Sequence, residues 1–176
     1  MLYPAQVINP SSTAFTEAQN SYWNVLQRQK IPTCFFQPTD VRQVQTAVAQ
    51  VAKAKCPFAI KGGGHSSNSE GSSIENGFLF DLAKLNHVEI ASDNQTVRVG
   101  PGVRWGPLFK ILEKRGVIAV GGRDFGVGVP GFIFGGKSPS LVPWIQRAMQ
   151  LMCIHCRGHL LLCEPVRLGN RQLGVR

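Results

Sequence analysis

The chain has 176 residues, 43% hydrophobic and 16% charged, with a formal net charge of +9. This apolar content supplies a core and the length suits one domain or one and a half, which excludes a chain that stays unfolded for want of a core. The charge invites a nucleic-acid surface, but the basic residues after position 137 are isolated and Trp144 is the one stacking aromatic among them, so nucleic acid is not the expected partner.

In chain order, Phe15, Ala18, Tyr22, Val25 and Leu26 recur at helical spacing behind a Ser12/Thr13 cap, which predicts a helix from Thr13 to about Arg28. Asp40 then precedes Val41, Val44, Val48 and Val51 on one face of a second helix, with Asp40 and Gln43 placed for a capping box. That helix leads directly into the strand before the glycines. Phe78–Leu82, Val88–Ala91 and Thr96–Val99 read as strands, the last two joined as a hairpin across Ser92-Asp93-Asn94-Gln95. Pro107 marks the first turn of another helix with Trp105, Leu108 and Leu112 inward and Gly116 as its stop. Residues 117–120 return as a short strand, so the order α-β-α-β…β-β-α-β describes an α+β body.

Chemistry concentrates at Cys56-Pro57-Phe58-Ala59-Ile60-Lys61-Gly62-Gly63-Gly64-His65-Ser66, an apolar run ending in three glycines and a histidine. Glycines let a backbone take positive φ and approach a ligand closely, and successive amides in such a turn converge on an anion. The contiguous glycines match neither the P-loop nor the spaced dinucleotide fingerprint. Alone, the run also fits an ordinary glycine turn. A second block, Val120 to Gly136, holds seven glycines between Gly121 and Gly136, a composition against helix and weak as strand. Two such segments suggest two walls around one ligand.

These motifs, taken in order, resemble the flavin-dependent oxidoreductases of the berberine bridge enzyme type, within the vanillyl-alcohol oxidase and para-cresol methylhydroxylase superfamily. The matching runs are Pro57 to Ser66; Ile74-Glu75-Asn76-Gly77 with Phe80-Asp81-Leu82 and Leu85-Asn86; Val97 to Gly102 with Arg104-Trp105-Gly106; and Val120-Gly121-Gly122-Arg123 with Gly126-Val127-Gly128. The resemblance covers about residues 10–136. It implies a fold: the front portion of a PCMH-type FAD-binding domain of two α+β subdomains, over residues 31–136, behind a helical lead-in at residues 1–30. It implies FAD as cofactor, with Lys61, Gly62, Gly63, Gly64, His65 and Ser66 at the pyrophosphate. Gly121, Gly122, Gly126, Val127, Gly128 and Gly131 would form the second wall. His65 stands where relatives attach the flavin covalently through its 8α-methyl carbon. No Cys lies between Cys56 and Cys153, which excludes a second, cysteinyl tether.

The implied activity is removal of a hydride from a small-molecule substrate to the flavin, with reoxidation by oxygen; the pattern assigns no catalytic base and no oligomeric state. Three departures stand out. Lys61 replaces the usual Arg and loses its planar fork. Pro130 replaces a glycine and removes a backbone donor. Lys137 replaces another glycine. Relatives also place cysteines where Cys34 and Cys56 stand, implying a disulfide in an exported protein and packed thiols otherwise. Relatives are often secreted, yet Met1–Gln29 has no signal-peptide pattern.

Where the resemblance stops, the composition breaks. Residues 1–136 carry 13 Lys/Arg against 9 Asp/Glu, and residues 137–176 carry 6 against 1. Cys153, Cys156, His159 and Cys163 are soft metal ligands, but on a helix the outer pair would stand about 15 Å apart, too far for one ion, so no metal is expected. Leu141–Cys163 is apolar but interrupted by Arg147, His155, Arg157 and His159, so it is no membrane span; a helix lying on a membrane surface is a remaining variant. The expectation for residues 137–176 is an irregular, aberrant tail, from a wrong reading frame or a retained intron. The chain then reads as a truncated oxidoreductase, with a non-catalytic product of weak or no flavin binding as the alternative.

Overall fold

Cys34, Phe35 and Phe36 are buried without alternation, as happens when both faces of a sheet are covered. They form β2 (Cys34–Phe36) in a four-stranded sheet of order β1-β2-β4-β3, with β1 (Val7–Ile8), β3 (Phe58–Lys61) and β4 (Phe78–Asp81). β2, β4 and β3 run parallel, and β1 pairs antiparallel with β2. The computed structural model describes residues 3–119, 121–135, 166–167 and 169–170. Val120, Gly136, Lys137 and the Cys153, Cys156, His159 and Cys163 set lie outside the described residues, as does Leu141–Cys163.

The chain divides into two units, Met1–Leu85 and Asn86–Arg176, each mixing helix and strand as two α+β subdomains should. In the first, the register sets Phe35 beside Leu79 and Phe36 beside Phe80, so neighbours share a face. Phe35 and Leu79 pack with Phe15, Ala18 and Tyr22. Phe36 and Phe80 pack on the other side with Val51. The lead-in therefore contributes to this core, through Val7 and Ile8 of β1 and through Phe15 and Ala18 of α1 (Thr13–Asn20).

The expected helix from Thr13 to Arg28 is instead two, α1 and α2 (Val25–Arg28). Its apolar period continues past the real end because Val25 and Leu26, each 57% exposed, share the spacing without sharing the core. The break occurs where Trp23 N–H donates to Gly64 O at 3.0 Å and Asn24 turns extended to cap α2 through Leu26 N–H. In α3 (Val41–Lys53) the packed residues are Ala47 and Val51, whereas Val41 and Val48 stay exposed. Asp40 caps α3 through the amides of Arg42 and Gln43, but Gln43 reaches back to Thr39 N–H rather than to Asp40.

In the second unit β5 (Val88–Ile90) and β6 (Thr96–Val99) form the expected hairpin, with Asn94 at φ 55 in its turn. Val97 and Val99 face a core of Val103, Trp105, Leu108, Leu112, Val117, Ala119 and Val129. α4 (Trp105–Lys114) ends before Gly116 at φ 68, as anticipated. β7 (Val117–Ile118) follows. From the tail, β8 (Val166–Arg167) pairs with β6 and β9 (Gly169–Asn170) with β7.

The glycine block contains a helix after all, α5 (Val129–Phe134). Pro130 sits in its first turn, where the missing N–H has no intrahelical acceptor to lose and the fixed φ suits the helix. The departure expected to disturb the block thus starts a helix in it.

Trp105 explains the paired glycines ahead of that helix. A Cβ on Gly121 would fall within the Trp105 ring, and one on Gly122 would stand 2.8 Å from its Cδ1. A Cβ on Gly131 meets nothing within 4 Å. Gly121→Ala is expected to cost about 1–3 kcal/mol through overpacking. Gly131→Ala should stabilise by up to about 1 kcal/mol through helix propensity. Urea denaturation of the two variants checks the opposite signs.

Candidate functional site

The loop after β3 is built on a buried charge. Lys61 ends β3 at 2% exposure, and its Nζ donates to Ala18 O at 3.0 Å and Ser21 Oγ at 2.6 Å, with Asp81 Oδ2 at 3.3 Å. Asp81, 1% exposed, also accepts from Gln37 Nε2 at 2.8 Å. The Lys61 ammonium therefore supports the loop from beneath.

Directly above, Gly64 takes φ 66, and a Cβ there would lie 3.2 Å from both Lys61 Cε and Tyr22 Cδ1. Conformation and space both demand glycine. Burial, then the Asp81 carboxylate, pushes the Tyr22 phenol well above its ordinary value of 10.0. Tyr22 OH donates to Ser72 O at 2.7 Å.

The loop's polar groups are sorted by direction. Gly64 O accepts from Trp23 N–H, Ser66 O and Ser67 O from Asn24 Nδ2 at 3.4 and 3.0 Å, and Asn68 O from Gln27 Nε2 at 2.6 Å. The amides of Gly62, Gly63, Gly64 and Ser66 donate to nothing among the described residues. Residues 22–27 take the carbonyls of Gly64, Ser66, Ser67 and Asn68, while the carbonyls of Gly62 and Gly63 and the four amides have no partner among the described residues. Successive unengaged amides are the donor set an anion needs. His65, half-buried at the rim, stacks on the Trp23 indole with centroids 4.9 Å apart and planes 15° apart.

The second glycine segment is satisfied differently. Phe125 O, Gly126 O and Val127 O accept from Gly106 N–H, Arg104 Nη1 and Trp105 N–H. Here amides are also used internally: Gly126 N–H donates to Asp124 Oδ1 at 2.7 Å, Val127 N–H to Asp124 O and Val129 N–H to Val103 O. Gly128 caps α5, and Gly131 lies within it. Gly121 and Gly122 form no hydrogen bond among the described residues. Of the second-wall residues, these two alone combine close packing with unengaged amides.

Sequence reasoning missed Tyr22, Trp23, Asn24 and Gln27, the residues that shape the first loop. Their partners lie some forty positions downstream, and helical period assigned that stretch to the wrong element. Asp81 had been noted only as part of a strand motif. Cys34 and Cys56 are free thiols, and burial, then the neighbouring Cys56, pushes the Cys34 thiol up. Among the described residues no helix is long and apolar enough to cross a membrane.

Comparison with known proteins supplies the context. The family described as FAD binding domain matches residues 32–162, past the composition break at residue 137. FAD-dependent monooxygenase tpcD of Cochliobolus heterostrophus is 37% identical over 134 residues, 76% of this chain and 25% of that protein. Among solved structures, 6-hydroxy-D-nicotine oxidase from Arthrobacter nicotinovorans superimposes with TM-score 0.63 at 26% identity, over 72% of this chain and 27% of that one. Wild-type BBE-like 1 of Physcomitrella patens gives 0.61 at 28% identity, over 69% and 26%. The chain thus spans about a quarter of the length of these relatives.

Two outcomes follow from the loop's foundation. Lys61→Met leaves the Asp81 carboxylate buried without its cation and should cost about 3–5 kcal/mol in urea denaturation. Because the folded state raises the Tyr22 value, its contribution to stability is full below 10.0 and is lost as the pH climbs above it. Tyr22→Phe should flatten that alkaline fall, read as unfolding free energy against pH.

Proposed function

Because the chain belongs to the FAD binding domain family, we propose that it forms the front of an FAD-dependent oxidoreductase of the berberine bridge enzyme type, acting on a small organic substrate. The observation that carries this reading is the first loop, where the carbonyls of Gly64, Ser66, Ser67 and Asn68 are bonded by residues 22–27 and the amides of Gly62, Gly63, Gly64 and Ser66 are unengaged among the described residues. Those amides would hold the pyrophosphate of FAD, and Lys61 would act through Gly64 rather than by contact.

When bound, FAD supplies a two-electron acceptor for hydride from a substrate carbon, and dioxygen reoxidises it. The residues of this chain bind and orient. His65 is the proposed covalent tether. An imidazole nitrogen of His65 would hold the flavin through its 8α-methyl carbon. The Trp23 stack supports this role, since it fixes the ring plane and covers one imidazole face.

Acid precipitation after FAD loading tests both levels. The unsubstituted chain should give a yellow pellet, and His65→Ala a colourless pellet with flavin released to the supernatant. Release of all flavin from the unsubstituted chain would remove the tether, and failure to take up flavin before precipitation would remove the FAD reading.

A further inference from the structure

We infer that Gln27 is a positioning residue for the glycine loop, acting from a segment that precedes the FAD binding domain match at residues 32–162. Gln27 is 0% exposed, which for a primary amide demands that both ends be bonded. Its Nε2 donates to Asn68 O at 2.6 Å, its Oε1 accepts from Ser72 Oγ at 3.0 Å, and its backbone carbonyl accepts from Ser73 Oγ at 2.8 Å. One residue thus grips three points of the stretch that follows the glycines. Asn68 O accepts at the same time from Gly71 N–H, so this contact also fixes the turn closing that stretch.

The effect on the ligand side is indirect. Asn24 and Trp23 hold Ser66, Ser67 and Gly64 from the same short segment, and Gln27 N–H donates to Asn24 O, which links the grips. Releasing Asn68 frees the far end of the loop to rotate its peptide planes. The amides of Gly62, Gly63, Gly64 and Ser66 then lose their fixed orientation, and an anion held by them is held less tightly.

Gln19 provides a matched control. It is 7% exposed on the same segment, its Nε2 donates to Arg28 O and, at 2.7 Å, to Lys30 O, and its Oε1 has no partner among the described residues, so its hydrogen bonds stay within the segment and reach none of residues 62–68. Gln27→Met and Gln19→Met each remove a buried amide of similar size.

The inference rests on the FAD reading for its ligand, and the experiment separates the two. Without flavin, cleavage by a glutamate-specific protease after Glu70, an exposed residue inside the gripped stretch, reports loop mobility. Gln27→Met, which removes both side-chain hydrogen bonds, should speed that cut about tenfold and weaken FAD binding about tenfold, while Gln19→Met changes neither beyond its effect on global stability. Ser72→Ala, which removes only the hydroxyl partner, should move both in the same direction to a smaller extent, and it carries the test if Gln27→Met does not fold. Equal acceleration in the Gln27 and Gln19 variants, or unchanged cleavage and FAD binding in Gln27→Met or Ser72→Ala, would overturn the inference. If the protease separates the variants while the unsubstituted chain takes up no FAD, the grip stands and the FAD reading falls.

Discussion

A buried ammonium must be neutralised and bonded from within, and the solution found for Lys61 sets the geometry of the first unit. Its partners come from the end of α1, the residue after it, and the end of β4. Tyr22 and Phe35 add ring faces 4.8 and 5.5 Å from Nζ. The Asp81 carboxylate that balances the charge is itself engaged by Gln37 and by Ala83 N–H. Little freedom remains in this cluster, and Gly64 rests on it. A side chain at position 64 would be strained by the left-handed φ of 66 and would press on Lys61 Cε and Tyr22 Cδ1 at 3.2 Å.

The glycines of the two segments answer different constraints, although composition presents them alike. Gly64 combines positive φ with close approach. Gly121 and Gly122 are extreme cases of close approach, with the Trp105 indole lying where their side chains would be. Gly131 answers neither need and sits in a helix with open space beside it. A glycine-rich block can thus be half packing surface and half helix. Counting glycines identified the region but gave the wrong account of its local structure.

What the sequence made legible was local. The helix Trp105–Lys114 with its Gly116 stop and the hairpin of β5 and β6 each depend on residues within a few positions of one another. So did the motif at 61–66, whose residues are contiguous. The break between α1 and α2 was not legible, since the groups that interrupt the helix belong to residues 64–68. The inward face of α3 was misjudged for a related reason. Its four valines mark a stripe, but Ala47 and Val51 meet Phe36 and Phe80, and only the sheet register reveals where those rings project. The capping box failed by one residue, as Gln43 is long enough to reach the amide of Thr39.

The position of the loop in the sheet makes its chemistry coherent. β2, β3 and β4 run parallel, and their carboxyl ends deliver Gln37, Lys61 and Asp81 to one place. Ligands of open parallel sheets gather beyond such ends, where loops leave the strands with unpaired backbone groups. Here the leftover groups are not random. Residues 22–27 bind carbonyl after carbonyl along the loop, through one backbone amide and two carboxamide side chains, and none of these donors can recognise an N–H. A segment that supplies donors to a glycine loop ties up the acceptors it reaches, here Gly64 O, Ser66 O, Ser67 O and Asn68 O. The order of this loop thus comes from the residues behind it, through its carbonyls.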